Sequence, residues 1–439
     1  MKEEFIRQAL QRLTVEGVDY CVLRDFIQLY EGFDHDVDLF VAPESLGHFR
    51  VVMEDFCRAT GGSIVEHVKN SDYSAFIVET ARGQFEFIKI DVWTDFIWRG
   101  LRWFDSGRLS GAKSFKDNIA VVDESLALAI RILKDVVFTS KLPERSWFRV
   151  QSELRLLVDE GRLDELKILM CRPAIELLLP RLQEGSRELS RKEAQRIRWA
   201  QLYDCFLRKR SDFSLVIRFI ADKFYGAVRP AGLHIVLIGP DGSGKSSLAN
   251  LLSTSIGEKL FNGCYVEYSR PGLIPPLNEI ANIFRSKRKA GAVYDLNDVK
   301  RVPSFKGIMQ ILFYSIDFLI FKPVLWKRKF RGALIIYDRY FYDYFIQSFW
   351  DSVSLKFKSI CCWFVPNPDL IILLKADPDV IYERKPELDK HVIRDQQVRA
   401  KNLPASVPII EINTDQGIET SAHDIVCHIL KTLQYRNAV

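Results

Sequence analysis

One glycine-rich turn constrains this chain more than any other feature. Leu233-His-Ile-Val-Leu-Ile238 has the length and apolar branching of a buried strand. It runs into Gly239-Pro240-Asp241-Gly242-Ser243-Gly244-Lys245-Ser246-Ser247, after which Leu248, Leu251, Leu252 and Ile256 recur at helical spacing. Strand, turn and helix in this order meet the pattern G-x-x-x-x-G-K-[ST] at Gly239, Gly244, Lys245 and Ser246. The glycines let successive backbone N–H groups turn inward toward phosphate oxygens. The helix offers its positive end to the same charge. In such a loop the lysine reaches the β- and γ-phosphates and the hydroxyl after it ligates Mg²⁺. The expected ligands are a nucleoside triphosphate, ATP, with Mg²⁺.

The segments around the turn alternate strand and helix. Leu233–Ile238, Cys264–Tyr268, Ala333–Tyr337, Leu370–Leu374 and Ile409–Ile412 read as buried-type strands, and Ile418, Ala422, Ile425, Ile429 and Leu433 as one side of a final helix. This predicts an α/β fold, a parallel sheet with helices on both faces, over 229–439. Residues 1–105 read as α+β. A first helix carries Phe5, Ile6, Ala9, Leu10 and Leu13, another helix fits between Pro43 and Thr60, and short strands fall near Tyr20–Arg24, Asp36–Val41, Ala75–Glu79 and Phe85–Asp91. Residues 106–228 read as a mostly helical connector, with Leu126, Ala129, Ile130, Leu133 and Val137 on one stripe. Three domains are therefore expected.

Composition sets the outer bounds. At 439 residues and 48% hydrophobic content the chain can build several cores. A net charge of +5 is too mild to make nucleic acid a default partner. Eight scattered cysteines without a C-x-x-C pair fit a reducing cytoplasm better than a disulfide scaffold or a zinc site. The first residues hold no apolar signal core. The apolar stretch Ile308 to Trp326 contains Asp317 and Lys322, so a buried or surface-docked helix is expected there and no membrane span. The basic run Arg285–Lys289 reads as a solvated loop, and a homodimer is left open.

A second chemical cluster follows the turn. Asp338 ends an apolar strand, where a carboxylate reaches the Mg²⁺ of a phosphate loop, and Arg339 beside it suits a bidentate grip on an acceptor phosphate. The combination of Gly239–Ser247, Ser269-Arg-Pro-Gly272, Asp338-Arg-Tyr340 and Pro368-Asp-Leu-Ile-Ile-Leu-Leu374 resembles thymidylate kinases over about 205 C-terminal residues. The resemblance implies a strand order 2-3-1-4-5 and phosphoryl transfer from ATP to a small acceptor. It places Arg270 and Asp241 toward that acceptor, Asp377–Lys385 at the start of a mobile lid, and Asn413-Thr414-Asp415 beside the adenine. Arg384, Lys385, Arg394 and Arg399 are then candidates to neutralise the transferring group. The chain has Arg270-Pro271-Gly272-Leu273 where the family has Arg-Glu-Pro-Gly-Gly-Thr. Tyr337-Asp-Arg-Tyr-Phe-Tyr-Asp-Tyr344 looks more like thymidylate kinase-like proteins associated with bacterial surface polysaccharide synthesis. That implies a sugar, an alditol or a phosphate of one as acceptor. The alternatives are a true dTMP kinase with an appended regulatory domain, or a nucleotide-dependent switch that phosphorylates no metabolite.

The first 100 residues carry a separate acidic cluster. Asp36 and Asp38 are two apart on a strand and share a face, and Asp91 ends another strand. Three converging carboxylates suit Mg²⁺. The constellation resembles nucleotidyltransferases of the polymerase-β type, which implies metal ligation by Asp36, Asp38 and Asp91 and a second, nucleotidyl-transferring activity. Where that family has a glycine pair to hold the triphosphate, this chain reads Val22-Leu-Arg-Asp-Phe26, with Arg24 as the available phosphate contact.

Overall fold

The computed structural model of the chain divides into two compact units, Met1–Phe224 and Tyr225–Val439. The residues described are 2–23, 29–30, 36–80, 86–98, 100–104, 106–111, 113–132, 144–162, 164, 166, 175–176, 180, 191–207, 213–275, 304–401, 403 and 406–438. Arg24 and the run Arg285–Lys289 lie outside them.

The first unit is built on a seven-stranded mixed sheet. Its strands are β1 (Tyr20–Val22), β2 (Asp36–Val41), β3 (Ser63–Lys69), β4 (Tyr73–Glu79), β5 (Phe87–Trp93), β8 (Lys113–Lys116) and β9 (Ile119–Val122), in the order β3-β4-β5-β2-β1-β9-β8. A separate two-stranded ribbon joins β6 (Phe96–Trp98) to β7 (Leu101–Phe104). The helix Lys2–Val15 buries Phe5, Ile6, Ala9, Leu10 and Leu13, its i, i+3, i+4 stripe, and Leu46–Ala59 buries Phe49, Val52, Met53 and Cys57. Helical residues Leu126, Ala129, Val150, Leu154 and Ile197 close the same core. The segment 106–228, expected to be mostly helical, also holds strands: Lys113–Lys116 and Ile119–Val122 form a hairpin that extends the sheet. Its turn places Asp117 and Asn118 at positive φ, a conformation that short polar side chains tolerate.

The second unit is a five-stranded, wholly parallel sheet of β10 (Leu233–Ile238), β11 (Cys264–Tyr268), β12 (Leu334–Asp338), β13 (Leu370–Lys375) and β14 (Ile409–Asn413). The spatial order is β11-β12-β10-β13-β14, which puts β10 at the centre. Every residue of β10 and β12 is buried, as continuous apolar runs covered on both faces must be. Val236, Ile238, Ile335 and Ile371 pack with Ile311, Phe318, Phe321 and Leu325 of the helix Ser304–Phe330. The alternate residues face the other side, where helices Lys245–Leu252 and Ile418–Ala438 pack against each other. Among the described residues, Ser304–Phe330 is the one helix long and apolar enough to cross a membrane, with a mean hydropathy of 1.6. Its buried stripe, which includes Asp317, lies on the sheet core.

Candidate functional site

In an open parallel sheet the loops after the C-terminal strand ends form the crevice, and here the two central strands deliver the chemistry. β10 ends at Ile238 and β12 at Asp338, with Leu237 and Asp338 paired in register. The chain then turns through Gly239–Gly244 into the helix Lys245–Leu252. Gly242 and Gly244 have φ of 90° and 91°, which L side chains rarely adopt. A Cβ on Gly239 would stand 2.8 Å from the Leu374 carbonyl oxygen and 2.7 Å from the Ser243 hydroxyl. A Cβ on Gly242 would stand 3.0 Å from the Ile381 carbonyl oxygen. The glycines thus permit both the curl and the close approach of helix Pro378–Arg384.

The cleft above this loop encloses about 460 Å³. The whole run Asp241–Leu248 lines it, with Tyr268, Asp338, Arg339, Arg384, Lys385 and Thr414 around it. Lys245 Nζ donates to the carbonyls of Gly239 and Pro240, both at 2.8 Å, and lies 3.4 Å from Asp241 Oδ1. Burial holds the Lys245 ammonium below its ordinary value, opposed by the Asp241 carboxylate. The Ser246 hydroxyl donates to Asp338 Oδ2. The other oxygen, Asp338 Oδ1, is buried and has no partner, as is the Ser243 hydroxyl. Unsatisfied buried polar atoms are unfavourable and therefore informative. Both residues line the cleft. The donor set of Ser246 and Asp338, hard oxygens with a free lone pair, fits Mg²⁺.

Arg339 has φ 71°, a sparsely allowed backbone for a non-glycine residue. Its guanidinium pairs with Asp241 and stands 5.8 Å from the centre of the Tyr268 ring. Burial alone would raise the Asp241 carboxyl, but Lys245 and Arg339 hold it below its ordinary value. Asp343, five residues past the strand end, was not singled out by the sequence. Burial pushes its carboxyl up to about 6, against the pull of Arg339 and Lys245.

The remaining candidates separate. Arg384 and Lys385 line the cleft, and Arg384 donates to the Thr414 carbonyl at 3.1 Å. Asp415 accepts the Asp377 N–H, which ties the start of the helix Pro378–Arg384 to the loop after β14. Arg394 is exposed and outside the cleft lining, and Arg399 is held by Asp351 and Asp395, each at 2.7 Å. Arg270 does not line the cleft either. It donates to the Ile274 carbonyl at 2.9 Å, lies 3.4 Å from Asp317 Oδ2 and stacks over Tyr314. Asp317 is fully buried and also accepts the N–H groups of Gly272 and Ile274 at 2.9 and 3.0 Å. The lone carboxylate in the apolar stretch is thus the anchor of the loop after β11. Its presence was the sequence signal, but its partners are some 45 residues away.

In the first unit, β2 and β5 run parallel with Asp36 opposite Lys89 and Asp38 opposite Asp91. The three expected metal carboxylates therefore share one face, with Lys89 among them. Asp38 and Asp91 are buried. Among the described residues no group of three His, Cys, Asp or Glu is disposed to hold a metal ion.

No protein-family model matches this chain, and no curated protein matches it. Among solved structures, a thymidylate kinase from Ehrlichia chaffeensis is similar at 18% identity with a TM-score of 0.30, over 45% of this chain and 98% of that one. At that distance the likeness decides nothing about chemistry.

Proposed function

We propose that the second unit is an ATP-dependent phosphotransferase acting on a small hydroxylated or phosphorylated acceptor. The observation that carries this reading is the buried, half-satisfied Asp338 beside the Ser246 hydroxyl, at the start of a helix whose preceding loop presents its backbone inward. The loop N–H groups and Lys245 hold the β- and γ-phosphates of ATP. Ser246 and Asp338 hold Mg²⁺, which when bound offsets the charge of the phosphates. Arg339, turned by its left-handed backbone, and Asp241 face the acceptor. Arg384 and Lys385 approach from the lid side and offset the charge spread over the transferring group. Of the tyrosine-rich run 337–344, Tyr337, Tyr340, Phe341 and Tyr342 are buried, so these four rings supply no base-stacking wall. The choice of a sugar or alditol, or a phosphate of one, over a nucleoside rests on the resemblance of the run 337–344.

The test is transfer from γ-labelled ATP with Mg²⁺ to separate pools of nucleoside monophosphates, sugars, alditols and their phosphates. Label in a sugar or alditol supports the reading. Label confined to dTMP makes the unit a thymidylate kinase, and hydrolysis that no acceptor stimulates makes it a switch.

A further inference from the structure

The acidic cluster of the first unit does not fit the metal centre that its resemblance implies, and the misfit has a single cause. On two parallel strands, Asp36 and Asp38 of β2 lie beside Lys89 and Asp91 of β5. Residues two apart on a strand share a face, so one ammonium and three carboxylates form a square. Lys89 Nζ lies 3.1 Å from Asp91 Oδ1, 3.2 Å from Asp91 Oδ2 and 3.9 Å from Asp36 Oδ1. The Tyr73 hydroxyl of β4 donates to Asp91 Oδ1 at 2.7 Å. Both Asp91 oxygens are thus engaged by protein donors in a buried position. The Lys89 side chain is only 15% exposed, enclosed between its register partners Asp36 and Ile77.

A divalent ion must sit about 2.1 Å from its carboxylate oxygens, which places it against the Lys89 ammonium. We infer that Lys89 is the resident cation of this cluster: its ammonium takes the place of the metal, and Asp36, Asp38 and Asp91 form no two-metal nucleotidyltransferase centre.

The experiment is a Mn²⁺ titration of the full chain without nucleotide, read by the free-ion paramagnetic signal. Wild-type protein is expected to bind no Mn²⁺ that Asp91→Asn removes. Lys89→Met should gain one bound Mn²⁺ per chain, at least about tenfold tighter than any wild-type site, because an opposing charge within a few ångströms shifts such equilibria by that much or more. Asp91→Asn added to Lys89→Met should abolish the gain. Lys89→Gln serves if the Met protein fails to melt cooperatively. A wild-type Mn²⁺ site lost in Asp91→Asn overturns the inference. So does a folded Lys89→Met or Lys89→Gln protein that gains no site. Kinase turnover is unchanged in either variant if the second unit acts as proposed, so failure of that reading is seen separately.

Discussion

The two units each gather carboxylates on parallel strands, yet they leave those groups in opposite states. In the second unit Asp338 meets a hydroxyl on one oxygen and nothing on the other, inside a cleft of about 460 Å³. In the first, Asp91 has Lys89 on both oxygens and Tyr73 on one. A binding site is pre-organised yet incomplete without its ligand, whereas a structural cluster completes itself. Clusters of acidic residues look alike in a sequence, and only the partners distinguish them.

The largest expected effect breaks the comparison at its strong end. Lys245→Ala removes the charge that faces the β- and γ-phosphates, and turnover should fall by at least about 10³-fold, measured by label transfer with folding checked by melting. Asp338→Asn keeps the shape but removes a Mg²⁺ ligand, and should lower turnover about 10²-fold with a raised Mg²⁺ requirement. If the Asn variant is fully active, Asp338 is a structural partner of Ser246 and no more, and the contrast with Asp91 disappears.

Smaller effects sharpen the comparison inside the second unit. Arg339→Ala should raise the acceptor KM by about tenfold or more while ATP affinity changes less, since each lost charged hydrogen bond is worth about 1.5–3 kcal/mol. Equal losses on both substrates would move Arg339 to the donor side. Asp317→Ala strips the buried anchor of the 270–274 loop and leaves Arg270 without its carboxylate, which should lower stability by about 3 kcal/mol in urea unfolding. Asp343 gives the smallest effect. A carboxyl raised to about 6 in the folded state stabilises the fold while protonated. That contribution is full below its unfolded value near about 3.9 and is lost as pH rises through about 6. Asp343→Asn should therefore flatten the decline in stability across that window and raise the melting temperature at neutral pH by a few degrees, on the order of 1 kcal/mol.

What could be read from the sequence follows the same division. Local, periodic and apolar features were legible: the runs 233–238 and 264–268, the five buried positions of the first helix, and the phosphate loop with its glycines. β3 escaped because its polar and apolar residues fall in pairs instead of alternating, with Glu66 and His67 interrupting the apolar run on a sheet edge. The hairpin 113–122 escaped because Lys113–Lys116 is largely exposed and lacks the apolar pattern of a strand. Side-chain partnerships across the fold were illegible for another reason. Arg270 has the right neighbours in sequence for an acceptor contact, but Asp317 claims its guanidinium from a helix far along the chain. Lys89 was in plain view two residues before Asp91, and only the parallel register of β2 and β5 reveals that it lies among the carboxylates.

The most direct test asks which unit holds the nucleotide: calorimetric titration of Mg·ATP into wild-type, Lys245→Ala and Asp91→Asn proteins. The account predicts one site per chain, sharply weakened in Lys245→Ala and unchanged in Asp91→Asn. Binding that survives Lys245→Ala and is lost in Asp91→Asn would place the nucleotide in the first unit and contradict it.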